Sequence, residues 1–452
     1  MHKANTMDMV NGPVAGKIFR FSFPLMLSGM LQLLFNAADT IVVGNFCGSV
    51  SMAAVGSNGS LICLIVNLFV GISVGTNVVV ARSWGRQHMN SVCRSVHSAI
   101  TLSVLLGIFT GVFGSMAARE LLLLMQVPEN VLPYSITYLR IYFIGVPAIV
   151  VYNFGAAILR AIGDTRRPLF FLTAAGVINI FANLFFVLVL DMDVAGVAAA
   201  TSISQYVSAF LVIRCLMKLD NACRLELKSL RLYREETLEM VRIGIPAGLQ
   251  NTVFSISNVL IQSSVNSFGS DVVAGNVAAS NLDNIVYTAM NSFSQAAVSF
   301  VGQNVGAGKP RRIAKIMWAC IAWASLFGVF LGVGMYVFNK PLLSIYNREP
   351  AVIAAGKIRL LIVGVPYFLC GVMEVSCGVV RGMGRSWLPM IVSTLGSCAS
   401  RIIWIYTVFA KHHEIQVLFY SYPISWALTF AVHTICALFI IKKLKLIYQE
   451  SE

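Results

Sequence analysis

Three carboxylates, Asp39, Asp283 and Glu374, lie well inside long apolar stretches of the chain. An acid at mid-bilayer costs roughly 2.5–3.5 kcal/mol even on insertion scales, so each needs a partner, a water-filled cavity or a proton. Asp39 has company: Gln32, Asn36 and Asp39 fall at i, i+4 and i+7, one polar stripe on an otherwise apolar helix. Such a stripe suits a group that takes up and releases a cation or a proton; the structural alternative is a hydrogen-bonded aspartate near a helix end. Asn179 and Asn183 share a helix face at i, i+4, and Thr201 opens the next apolar stretch. The competing role for this amide pair is to join helices. Later in the chain Asn251, Ser255, Asn258 and Gln262 form a longer polar stripe without an acid. Arg401 is available to pair with Asp283 or Glu374, and a buried arginine–carboxylate pair is the structural reading that a cavity-facing role must displace.

These residues need elements to carry them. Of 452 residues only 12% are charged, while 57% are AVILMFWYC; a soluble domain carries about a quarter charged residues. Apolar runs of about 20 residues, the length that crosses ~30 Å of hydrocarbon as helix, recur along the chain. We expect twelve spans, near 18–43, 53–80, 95–118, 134–158, 168–190, 194–216, 240–267, 273–302, 314–338, 357–380, 388–409 and 417–441. Lipid offers backbone groups no partner, so these are helices and the fold class is an all-α polytopic membrane protein. No charged stretch long enough for a separate soluble domain remains, and no cleavable signal peptide is read at the N-terminus.

The net charge of +14 reports topology rather than nucleic acid. Placing the N-terminus on one side collects 25 Lys and Arg there, including Lys3, seven from Arg214 to Arg242 and four from Lys309 to Lys315. The other side receives only Arg119, Lys340, Arg348, Lys357 and Lys411, while Arg140, Arg359 and Arg401 fall inside spans. Both termini are therefore expected in the cytoplasm of a cell with a multi-pass plasma or inner membrane protein.

An internal repeat sets the architecture. Phe143 to Pro168 recurs after Leu361, matching Pro147 to Pro366, Arg160 to Arg381, Gly163 to Gly384 and Pro168 to Pro389, at offsets of 219 to 221. Pro24 likewise matches Pro246. Two six-helix lobes, 1–217 and 240–452, joined by a linker at 218–239, are expected to be parallel and related by a pseudo-two-fold along the membrane normal, a known transporter layout. Asp39 aligns with Leu260 or Ile261, so only the first lobe carries this acid.

The chain resembles the MATE (multidrug and toxic compound extrusion) transporters over nearly its whole length. The resemblance is carried by DMVNGP, FPLMLSGMLQLLFNAADTIVVG, LRAIGDTRRP, GVINIFANLFFVLVLDMDVAGVAAATSIS, GIPAGLQN and VGQNVGAGKPRR, in order and at family spacing. It implies export of organic cations and amphiphiles in exchange for H+ or Na+ by alternating access, with no cofactor, no metal beyond Na+ at Asp39, no nucleic-acid partner and a monomer in the lipid bilayer. It implies a cation or proton site of Asp39, Asn36, Tyr138, Asn179, Asn183 and Thr201, although position 183 is often Asp in the family. It implies a cavity between the lobes, and the stripe residues Gln32, Asn251, Ser255, Asn258 and Gln262 with the span acids Asp283 and Glu374 are the candidates of this sequence to line it. Some relatives carry a glutamate where Phe254 stands, and Glu374 lies about one turn from a second acid of theirs.

Pro24, without an amide hydrogen and with a ring that crowds the preceding turn, marks a hinge in the first span. A lipid-linked oligosaccharide flippase of related fold is the alternative; its anionic cargo calls for more intramembrane Arg and Lys than the three present. An intramembrane enzyme calls for a catalytic cluster, and none is found. GQNVGAGKP is one residue too long for a P-loop and has Pro310 at the magnesium position. His412–His413 reads as a solvated turn, and the segment 218–239 as an amphipathic surface helix.

Overall fold

The computed structural model describes residues 6–449; Lys3 and both chain ends lie outside them. The described residues form twelve long helical rods: α1 (Val14–Phe46), α2 (Gly48–Gly85), α3 (Met89–Leu124), α4 (Leu132–Ala161), α5 (Arg166–Val189), α6 (Asp193–Met217), α7 (Arg234–Asn266), α8 (Ser270–Gly306), α9 (Pro310–Val337), α10 (Pro350–Gly382), α11 (Trp387–Phe409) and α12 (Ile415–Gln449). Each expected span falls on one of them to within a residue. Ten of the twelve are long and apolar enough to cross a membrane. The other two, α7 and α8, are long enough but diluted by the polar residues that mark them as cavity candidates, among them Asn251, Ser255, Asn276 and Asp283. Large apolar side chains such as Met116, Phe330 and Phe439 are exposed, as a lipid-facing surface requires.

Two compact units divide the chain. Leu27–Ile245 belongs to the first; Asp8–Met26 and the residues from Pro246 onward belong to the second. The division cuts α1 just after Pro24 and α7 at Pro246, the two repeat-related prolines. In the first unit α4 is central, packed against α2, α3 and α6, with α5 on α6; in the second α10 takes the same place against α8, α9 and α12. The start of α7 meets α2 without side chains between them: a Cβ on Gly75 would lie 2.1 Å from the Met240 carbonyl oxygen, and one on Gly244 2.5 Å from that of Ile72. Small residues allow this backbone approach. Its repeat counterpart in the second unit is the crossing of α1 and α8, where Ser22 Oγ donates to the Ser292 carbonyl (3.4 Å) and Phe21 meets Phe300 edge-on at 5.5 Å.

The two halves differ in winding. α4 is continuous through Pro147. α10 instead widens to a π turn at Leu360–Gly364, followed by a 3₁₀ turn at Val365–Tyr367 around Pro366. The proline ring crowds the carbonyl four residues back, here that of Ile362, and a wider turn relieves it. α11 carries π turns at Thr394–Ala399 and Ile405–Phe409, on either side of Arg401.

The segment 218–239 is not one helix. Only its last residues are helical, as the start of α7; before them stand turns and a 3₁₀ turn at Leu227–Ser229. Tertiary partners override its charge periodicity: the Leu225 amide donates to the Leu216 carbonyl (3.1 Å), that of Glu226 to His97 Nε2 (3.1 Å) and that of Tyr233 to Ser98 Oγ (2.9 Å).

Candidate functional site

In the first unit the amides gather at the acid. Asn183, buried on α5, donates its Nδ2 to Asp39 Oδ1 and also to Asn179 Oδ1 at 3.3 Å. Asn179 Nδ2 donates to Thr201 Oγ1 at 3.4 Å, and the threonine hydroxyl donates to the Val197 carbonyl at 3.0 Å. The π turn at Phe185–Val189 begins two residues after Asn183. Tyr138 is buried on α4, stacked on Tyr142 at 6.4 Å and within electrostatic reach of Asp39. Asp39 itself is half-buried, while Asn36 and Gln32 are exposed; Asn36 contributes its carbonyl to Thr40 Oγ1 (3.0 Å). No lysine or arginine forms an ion pair with Asp39 among the described residues. Asn183 Oδ1 is buried without a hydrogen-bond partner.

Asp283 of the second unit is held differently. Asp283, 2% exposed, accepts from Arg359 Nε at 3.1 Å. Arg359 Nη1 donates to Asn276 Oδ1 (2.8 Å), Asn276 Nδ2 to Gln262 Oε1 (2.9 Å), and Gln262 Nε2 to Asn266 Oδ1 (2.9 Å). The guanidinium lies 5.5 Å from the Phe419 ring and 5.4 Å from that of Tyr422. Arg401 ion-pairs with neither Asp283 nor Glu374 among the described residues: it donates to Ser425 Oγ (2.9 Å) and lies over Tyr422 and Trp426, at 4.4 and 5.5 Å. Aromatic faces offset part of the cost of burying it. Glu374 is half-buried, with Arg381 of its own helix as the charge that acts on it, and its carbonyl accepts from Ser294 Oγ (2.8 Å).

The remaining stripe residues of α7 are divided. Ser255 donates to the Asn251 carbonyl (3.1 Å), both half-buried, and Asn258 is exposed. A second network escaped the sequence reading: Gln250 Nε2 donates to Ser393 Oγ (3.1 Å), which bonds His433 Nε2 (2.9 Å), all three buried. No regular spacing links three residues on three helices. His413 stacks on Phe268 at 4.9 Å, a packing role, and no group of metal-ligating side chains occurs among the described residues.

The family model MatE matches the chain twice, over residues 24–185 and 246–407. The chain belongs to the MatE family. That family comprises transporters rather than enzymes, and its two matches are the two repeat halves. This MatE chain is 30% identical over 388 residues, 86% of its length and 87% of the relative's, to the probable multidrug resistance protein YpnP of Bacillus subtilis (strain 168). Its fold matches the crystal structures of a MATE in the bent conformation (TM-score 0.90) and of a MATE in the straight conformation (TM-score 0.88), each at 22% identity over 98% of this chain and 100% of the other.

Proposed function

We propose that this MatE protein is a secondary antiporter that exports organic cations and amphiphiles in exchange for protons, with Asp39 carrying the coupling ion. One observation carries the reading. Asp283 has an arginine, whereas Asp39 is held only by neutral amides, so its charge is left for a mobile ion to cancel. The direction of the hydrogen bonds favours a proton over sodium. Asn183 presents N–H to the carboxylate, and the Thr201 hydroxyl oxygen accepts from Asn179. Sodium needs oxygen ligands, so the amides would have to turn; a proton needs only the second carboxylate oxygen. Protonation removes the charge around which the donors are arranged and favours repacking of α1. The proton leaves after the switch to the inward-facing state, and substrate leaves outward.

The likeness to YpnP supports drug-like substrates. Pro24, inside α1, is the place where this reading lets the helix change shape, with the halves 1–217 and 240–452 acting as lobes about the linker 218–239. Pro24→Ala restores an amide and removes the ring, so the variant should insert normally and turn over several-fold more slowly; parental rates would remove the hinge.

Ethidium efflux from vesicles tests the coupling. Collapsing the pH gradient should stop transport, and collapsing a sodium gradient alone should not. The opposite result would assign the site to sodium. Transport unaffected by either would end the antiport reading.

A further inference from the structure

The linker between the halves has two unlike sides. Its inner side is fixed to the first unit: Leu219, Cys223 and Leu225 are buried, and the amides of Glu226 and Tyr233 are held by His97 and Ser98 of α3. His97 Nδ1 lies 2.8 Å from the Cys93 carbonyl and donates to it, which leaves Nε2 as the acceptor for Glu226. Arg94 and Arg231 flank the Tyr233 ring at 5.5 and 5.9 Å.

The outer side alternates apolar and basic groups. Leu227, Leu230 and Leu232 are 54%, 37% and 41% exposed, interleaved with exposed Arg224, Lys228 and Arg231. Within 218–233 four cations, Lys218, Arg224, Lys228 and Arg231, face two acids, Asp220 and Glu226. A cleft of about 310 Å³ opens here, lined by Met217, Arg224, Leu225, Glu226, Leu227 and Lys228. Its lining combines three apolar residues with two cations, Arg224 and Lys228, and one acid, Glu226. The segment begins and ends at helix termini, Met217 of α6 and Arg234 of α7, so it is tied at both ends to membrane-crossing rods.

We propose that the 218–233 segment is a docking surface for anionic lipid headgroups of the leaflet it borders. Basic side chains meet the negative surface potential of such a leaflet, and the leucines between them enter its headgroup boundary. A soluble acidic partner would satisfy the cations but gives no account of leucines held beside span ends. His97 and Ser98 hold the amides of Glu226 and Tyr233 at the two ends, so docking covers and orders the stretch between them.

Amide exchange of the full-length protein in nanodiscs tests this. In phosphatidylcholine discs the amides of Leu227 to Leu232 should exchange several-fold faster than in discs that also contain phosphatidylglycerol. The R224Q/K228Q/R231Q variant should lose that difference while the amides of α3 keep parental exchange. Equal exchange of the parent in both discs would overturn the proposal without recourse to any variant. So would equal protection from soluble glycerol phosphate added to phosphatidylcholine discs, which would assign the surface to free phosphates. None of these readouts depends on transport, so they stand apart from the antiport reading.

Discussion

Asp39 in the first unit and Asp283 in the second are both aspartates on long helices of related halves, yet their surroundings oppose each other. Asp39 is half-buried and bound to Asn183, a neutral donor; Asp283 is fully buried and bound to Arg359. The repeat locates the difference. Arg140 is the counterpart of Arg359 at an offset of 219 residues, and it is exposed. The residues 220 and 221 positions before Asp283 are Cys63 and Ile62, so the first unit has no acid to draw its arginine inward. The family matches begin 222 residues apart, and that offset pairs Asn179 with Arg401. Where one unit surrounds an unneutralised acid with amides, the other has neutralised Asp283 and covered its spare arginine with aromatic rings. A charge left without a fixed counter-charge is available to a mobile ion, while a paired one contributes to a rigid core.

The largest test of this contrast is Asp39→Asn. The variant should reach the membrane in parental amounts and retain drug binding, but gradient-driven efflux should fall to that of protein-free vesicles. Asp39→Glu should keep part of it. If Asp39→Asn pumps like the parent, the first unit is not the coupling unit.

Asp283→Asn should produce the opposite pattern. It leaves Arg359 buried without its counter-charge, a loss on the order of 3–5 kcal/mol, so thermal unfolding should begin at a clearly lower temperature. Replacing both partners by apolar residues of similar volume should recover much of the loss, because no lone charge remains buried. A stable Asp283→Asn protein with impaired transport would break the comparison, since both acids would then be functional.

Much of this was legible in the sequence, for physical reasons. Apolar length and period set the helices, the repeat set the two halves, and the i, i+4 spacing of Asn179 and Asn183 put two amides on one face of α5. The partner of Asp283 was not legible. Arg401 and Arg359 both lie in apolar spans, and the choice depends on the facing of α10, whose winding departs from the regular helix in the π turn and 3₁₀ turn directly after Arg359. The linker also escaped, because hydrogen bonds to His97 and Ser98 join residues more than 120 apart and leave no local periodic signal.

A smaller effect is expected at Glu374, which has Arg381 further along its own helix but no ion pair among the described residues. Glu374→Gln should reduce efflux of cations several-fold and leave neutral amphiphiles almost unchanged. Equal loss for both classes would make it a structural charge and extend the neutralised character of the second unit to all its acids.

The smallest change and the finest probe is Asn183→Asp. It replaces the amide that touches Asp39 by a second carboxylate of the same size. Two charges about 4 Å apart repel by about 4 kcal/mol at an effective dielectric of 20, so the pair must share a proton or hold a cation between its oxygens. Either outcome converts a site that points N–H groups at its acid into one that points oxygens. Ethidium efflux by the variant should therefore depend more strongly on external sodium than that of the parent, with at most a modest loss of maximal rate. An unchanged, purely proton-driven profile would mean that Asn183 does not set the choice of ion, and the explanation would move to Asn179 and Thr201 behind it.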